Sequence, residues 1–267
     1  MSEYAKNYDI NGRWYDRLWA ALIFFTRLPL WRIYQPPKGA YSAVVEFWPL
    51  AGWITSGVMA GVLFGASMLF NYEIAILLAI SARLLLTGAL HEDGLADFFD
   101  GFGGGGGNRK RILEIMKDSH IGTYGVISLI IYMSMLWFAL HSMQLADAVI
   151  TILAVDPYAK MISAQVVQMM PYARTEETAK NKTVYRKFPI FAGIALAVQG
   201  LAPISVYLWW MQERIDWSMM IFAPCLTMYF MYLLIWRRLR GYTGDCCGAM
   251  FLLTELTAYL VASYYLC

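Results

Sequence analysis

Aspartates 93, 97 and 100 stand at i, i+4 and i+7 in the run His91-Glu92-Asp93-Gly94-Leu95-Ala96-Asp97-Phe98-Phe99-Asp100-Gly101. On a helix of about 3.6 residues per turn that spacing sets three carboxylates on one narrow face. Like charges four residues apart repel even when exposed, so the stack is tolerable if a cation neutralises it. Magnesium suits such a face, because it takes hard oxygen ligands and is held by one or two carboxylates plus phosphate and water. The plain alternative, an acidic helix end reaching into water, fits poorly with the intervening Gly94, Leu95, Ala96, Phe98 and Phe99.

Neighbouring stretches add anion chemistry. Glycines 103–107 are followed by Asn108-Arg109-Lys110-Arg111, and a glycine-rich loop exposes backbone N–H groups that can cradle a phosphate. The stretch reads equally well as a flexible linker, and it lacks the G-x-x-x-x-G-K-[ST] pattern of a P-loop. Asp118 adds one more acid before the chain turns apolar again. Far downstream, Gly241-Tyr242-Thr243-Gly244-Asp245-Cys246-Cys247-Gly248 sets Asp245 between glycines that admit close approach of a phosphate. There it can complete a metal site or orient a nucleophile, and topology decides whether it meets Asp93.

The elements that must position these groups are membrane helices. Of the 267 residues 59% are apolar and 15% charged, against about 45–50% and 25% in soluble domains. Seven runs approach the roughly 20 apolar residues that cross a bilayer: 44–69, 73–90, 122–141, 146–170, 190–211, 217–236 and 249–266. An eighth, 18–31, is short and interrupted by Arg27 and Pro29, which predicts a re-entrant or interfacial segment. With that segment not crossing, residues 1–43, 91–121, 171–189 and 237–248 share one side and hold 18 of the 21 lysines and arginines. The positive-inside rule makes that side cytoplasmic, with the C-terminus periplasmic. The expectation is one all-α membrane domain over residues 1–267, with an N-terminal cytoplasmic or interfacial segment (1–43) and an acidic, glycine-rich active-site loop (91–121).

Charges inside spans are expensive and functional by default. Arg83 has no acid three or four residues away, whereas Asp156 and Lys160 can pair with each other or bind a ligand; Glu46 and Glu255 complete the set. Cysteines 225, 246, 247 and 267 show no zinc-ligand spacing and read as free thiols. No cleaved signal peptide is expected, and a net charge of +2 argues against nucleic-acid binding.

The run Leu86-Thr87-Gly88-Ala89-Leu90-His91-Glu92-Asp93-Gly94-Leu95-Ala96-Asp97, with Asp100-Gly101, Met116-Lys117-Asp118-Ser119 and Gly122-Thr123-Tyr124-Gly125, resembles the signature of the cobalamin synthase (adenosylcobinamide-GDP ribazoletransferase) family. Phe25-Thr26-Arg27-Leu28-Pro29 and Gly241-Tyr242-Thr243-Gly244-Asp245 come in family order. Arg240 stands where the family usually has a glycine, and Arg174-Thr175-Glu176-Glu177 lacks the glycine that is usual there. The resemblance implies a bacterial inner-membrane enzyme joining adenosylcobinamide-GDP to α-ribazole or its 5′-phosphate, with magnesium as cofactor and GMP released. It leaves room for an oligomer. Under that reading Asp93, Asp97 and Asp100 ligate magnesium. Glu92, Asp118 and Asp245 are candidates for further ligand or general base, and Arg83, Arg109 and Lys117 for phosphate pairing. The nearest rival, a CDP-alcohol phosphatidyltransferase, would show D-x-x-D-G-x-x-A-R, and the arginine is missing. A secondary transporter would place its charges at the midplane of an inverted repeat, and no repeat is visible.

Overall fold

A computed structural model describes residues 12–174 and 184–267. The first eleven residues of the expected N-terminal segment and residues 175–183 of the expected basic loop lie outside it. Among the described residues the regular elements are helices: α1 (Trp14–Phe25), two 3₁₀ segments (Leu30–Arg32 and Lys38–Phe47), α2 (Trp48–Ala66), α3 (Tyr72–Thr87), α4 (Leu90–Gly104), α5 (Arg109–Ile115), α6 (Thr123–His141), α7 (Leu145–Ala164), α8 (Val166–Met169), α9 (Ile190–Trp210), α10 (Trp217–Leu239) and α11 (Gly244–Leu266). The sole non-helical pairing among those residues is an isolated bridge between Tyr172 and Tyr242.

Local sequence sets the ends. Asn71 accepts from Ile74 N–H at 3.1 Å to cap α3, and Asp216 accepts from Ser218 N–H at 2.8 Å to cap α10, each satisfying donors that a helix start leaves orphaned. At the other end of α10, Arg240 holds φ +53°, the left-handed conformation that glycine takes without strain. A glycine there, which the resemblance leads one to expect, would hold the same conformation without that strain.

Among the described residues five helices are long and apolar enough to cross a membrane: Lys38–Ala66, Thr123–His141, Ile190–Trp210, Trp217–Leu239 and Gly244–Leu266. The count is six if Tyr72–Thr87 and Leu90–Gly104, bent by 88°, form one broken span. The all-α membrane architecture thus holds, with two differences from the seven expected crossings. The run 73–90 ends as a helix at Thr87, because Gly88 and Ala89 both turn left-handed at φ +65° and +54°. The run 146–170 contains α7, whose 20 residues span about 30 Å but carry Asp147, Asp156 and Lys160. In the expected re-entrant segment, α1 has 12 residues, about 18 Å, too short to cross.

α11 is the central helix, with 72% of its apolar window buried against 22% for α10. It packs on α4, α7, α10 and α6, and every charge it buries must find a partner. Glu255 accepts both bonds of Arg83 Nη1, at 2.6 and 2.8 Å, and Tyr132 donates to it at 3.1 Å. Arg83 also donates to Tyr132 at 2.9 Å and lies 3.7 Å from Glu92. The arginine expected to meet phosphate is therefore tied into the bundle interior, bonded to a glutamate 172 residues away. Asp156 and Lys160 form the internal ion pair, with Thr55 bonded to both at 2.8 and 2.9 Å. Glu46 joins Arg17 at 2.9 Å and Arg186 at 3.0 Å.

Removing one partner of a buried pair costs about 3–5 kcal/mol, more than replacing both. Glu255→Leu should accordingly lower the melting midpoint in detergent by about 10 °C, and Arg83→Met/Glu255→Leu should recover much of that loss. A midpoint unchanged in the single variant would show that the pair carries no stability.

Candidate active site

The site is built at the bend between α3 and α4. Arg27, just past α1, donates its backbone N–H to Leu86 O at 2.6 Å, so the segment Phe25–Pro29 is clamped onto the turn that launches α4. α4 then crosses α11 at two glycines. A Cβ on Gly94 would lie 3.2 Å from Asp245 Cα, and one on Gly248 would lie 3.1 Å from His91 O. Only this backbone-to-backbone approach brings the start of α4 against the first turn of α11.

The approach forms a cavity of about 100 Å³. Asp93 and Asp245 both line it, with Thr243, Gly244 and Gly248 at the α11 end, His91 and Leu90 from α4, Phe24 and Phe25 from α1, and Val45 and Trp48 from the segment leading into α2. Tyr172, Arg174 and Tyr185 close it from the loop after α8. That loop is held by Ala173 N–H donating to Tyr242 O at 2.7 Å and Tyr242 N–H to Pro171 O at 3.0 Å. Burial pushes the Tyr172 hydroxyl up to about 12, with Cys247 and Asp245 adding to the effect, and raises Tyr185 for the same reason. Both stay neutral donors beside Asp245 across the physiological range.

The other expected residues are placed elsewhere. Asp97 is half-buried one turn along α4 and does not line the cavity. Asp100 is 7% exposed and accepts from Gly122 N–H at 2.7 Å and Gly125 N–H at 2.9 Å. It caps the start of α6, so the expected three-carboxylate face divides between two tasks. Glu92 is buried beside Arg83. Asp118 sits in an exposed turn, where hydrogen bonds from the His120 ring at 2.7 Å and backbone at 3.1 Å hold its carboxyl below the usual range. Arg109 donates to Leu239 O at 2.7 Å and Ala173 O at 2.8 Å, tying three loops together. Arg109, Lys110, Lys117 and Arg174 line a second, basic cleft of about 370 Å³, shared with Leu113, Glu114 and Ala173. Arg174 belongs to both hollows.

Among the described residues no group of three or more His, Cys, Asp or Glu side chains is placed to hold a metal. Two carboxylates on adjoining backbone, with hydroxyl and backbone groups around them, nonetheless fit magnesium, which draws its remaining ligands from phosphate and water. Sequence reasoning missed His91, Trp48, Phe25 and the tyrosines of the loop. His91 was visible beside Glu92, but nothing in its spacing linked it to Trp48.

A sequence profile described as cobalamin-5-phosphate synthase matches residues 17–263. An adenosylcobinamide-GDP ribazoletransferase of Leptospira interrogans is 32% identical, covering 92% of this chain and 94% of the relative. Proteins of the same name from Vibrio cholerae (34%, covering 92% of each chain) and Leptothrix cholodnii (35%, covering 90% and 92%) are similar. No solved structure matches.

The division of the aspartates is testable by stability alone. Asp100→Ala removes a cap worth about 1–2 kcal/mol and should lower the melting midpoint by several degrees. Asp93→Asn, at an exposed position, should shift it by about 2 °C or less. The reverse order would reassign the two residues.

Proposed function

The chain belongs to the cobalamin-5-phosphate synthase family, and from that premise we propose that it transfers the adenosylcobinamide-phosphate group of adenosylcobinamide-GDP to α-ribazole or its 5′-phosphate, releasing GMP. The observation that carries this reading is the meeting of Asp93 and Asp245 in one cavity. One P–O bond forms, from the acceptor's ribose hydroxyl to the phosphate bearing adenosylcobinamide, and the P–O bond to GMP breaks. Such transfers need positioning and neutralisation of charge on the equatorial and leaving oxygens. Asp93 and Asp245 would hold magnesium, with Asp97 one turn along α4. When bound, the ion supplies Lewis-acid polarisation and a template for the diphosphate.

The chain's own groups do the rest. The α11 N-terminus opens at Gly244 and Asp245 into the same cavity, and a helix start favours negative charge. Neutral Tyr172 and Tyr185 line the same cavity and bring hydroxyl groups to it. Glu92 and Asp118 lie outside the cavity, which leaves Asp93 and Asp245 as the carboxylates among the described residues within reach of an attacking hydroxyl. The basic cleft of Arg109, Lys110 and Lys117 adjoins through Arg174 and suits a phosphate carried by the acceptor. The corrinoid is far larger than the cavity and would lie at its mouth, beside the bilayer.

The apolar helices mark a multi-pass membrane protein. Arg109, Lys110, Lys117 and Arg174 adjoin the cavity of Asp93 and Asp245, and together with the basic loops of the sequence this supports a cytoplasmic site in a bacterial inner membrane. A reporter fused after Cys267 should then read as periplasmic, and a cytoplasmic signal would reverse the orientation.

Purified protein with magnesium should form cobalamin or its 5′-phosphate and GMP from the two substrates. Asp245→Asn should reduce turnover at least about a hundredfold, the scale of lost transition-state charge stabilisation. Turnover of CDP-diacylglycerol with no GMP formed would transfer the assignment to the phospholipid enzymes.

A further inference from the structure

The cavity contains a feature that the diphosphate chemistry does not use. Phe25, Trp48 and His91 present three nearly parallel rings: Phe25 and Trp48 at 5.5 Å and 10°, Phe25 and His91 at 6.2 Å and 7°, Trp48 and His91 at 6.0 Å and 14°. Phe251 braces the set, tilted by 61° with its centroid 4.7 Å from His91, and carries the Lys160 ammonium 4.3 Å above its ring. His91 is 4% and Trp48 2% exposed. Their Nε2 and Nε1 nitrogens nevertheless find no hydrogen-bond partner among the described residues.

Buried polar groups are normally paired, and an orphan costs free energy. Two orphans in one cavity wall, on rings already set parallel, mark a place where a ligand completes the bonding. Flat rings stack in offset, parallel arrangements. Trp48 Nε1 can only donate, while His91 Nε2 donates or accepts according to tautomer. The pair therefore matches a planar heterocycle with a lone ring acceptor, together with a neighbouring hydroxyl. Phe24, Val45 and Leu90, which line the same cavity, offer it apolar surface. They accept an apolar base.

We propose that this aromatic wall is the seat of the acceptor's base: the benzimidazole of α-ribazole lies parallel to the Phe25–Trp48–His91 rings and edge to edge with Trp48, so that its free ring nitrogen accepts from Trp48 Nε1, with its ribose on the side of His91. This rests on the reading of the chain as a ribazoletransferase. It makes Trp48 and His91 the residues that select the acceptor, with Asp93 and Asp245 beside the ribose.

The test varies the substrate as well as the protein. Wild-type enzyme, given α-ribazole or the indole riboside that replaces the ring nitrogen by C–H, should favour α-ribazole about tenfold in kcat/KM, the worth of one hydrogen bond. Trp48→Phe, which keeps a ring and removes the donor, should abolish that preference. His91→Phe should raise KM for α-ribazole several-fold, with inhibition by GMP unchanged. Intact preference in Trp48→Phe, or a change confined to GMP inhibition, would overturn the seat. Quenching of tryptophan fluorescence by α-ribazole alone, lost in Trp48→Phe, gives a readout that needs no turnover. If wild-type enzyme transfers nothing yet shows that quenching, the transfer reading fails and the seat stands; with no quenching either, both fail.

Discussion

An arginine inside an apolar bundle cannot be left without an anion, and the position of Arg83 fixes much of this molecule. Its guanidinium on α3 reaches Glu255 on α11, Tyr132 on α6 and Glu92 on α4, so four helices converge on one charge. The energetic weight lies in the penalty for an unpaired member more than in the attraction itself. Glu92 immediately precedes Asp93, and Asp245 sits about three turns up α11 from Glu255. The contact that neutralises the core therefore also aligns the two helices whose ends carry the cavity carboxylates.

The geometry explains how a chain with so few charges maintains a polar cavity. The bend at Gly88 and Ala89 turns α4 away from the line of α3, so the acidic run starts at one end of the bundle instead of continuing through it. Gly94 and Gly248 then allow α4 and α11 to touch along their backbones. The loop carrying Tyr172 and Arg174 covers the junction and connects the cavity with a basic cleft. Membrane helices supply rigidity, and the polar hollows lie at their ends.

Much of this was legible in the sequence. The apolar runs predicted the helices, and the aspartate run marked the start of α4, which lines the cavity through Asp93. The spacing could not show how the aspartates divide. Residues seven apart on a helix share a face but stand about 10 Å apart along its axis, so Asp93 meets α11 while Asp100 meets the start of α6. Spacing alone offers Arg83 to a phosphate because it looks three and four residues away, and the arginine's glutamate lies on another helix. The same blindness to long-range contact hid the pairing of His91 with Trp48. The count of crossings differs for another reason: hydropathy registers composition, and the left-handed turn at Gly88 ends a helix however apolar its neighbours are.

The central claim is that Asp93 and Asp245, from helices remote in sequence, form one cation site. Manganese substituted for magnesium can be followed by electron paramagnetic resonance in the presence of GDP. The account predicts that Asp93→Asn and Asp245→Asn each weaken manganese binding about tenfold or more, consistent with loss of a carboxylate ligand from a site that uses one or two. Manganese affinity unchanged in either variant would contradict it.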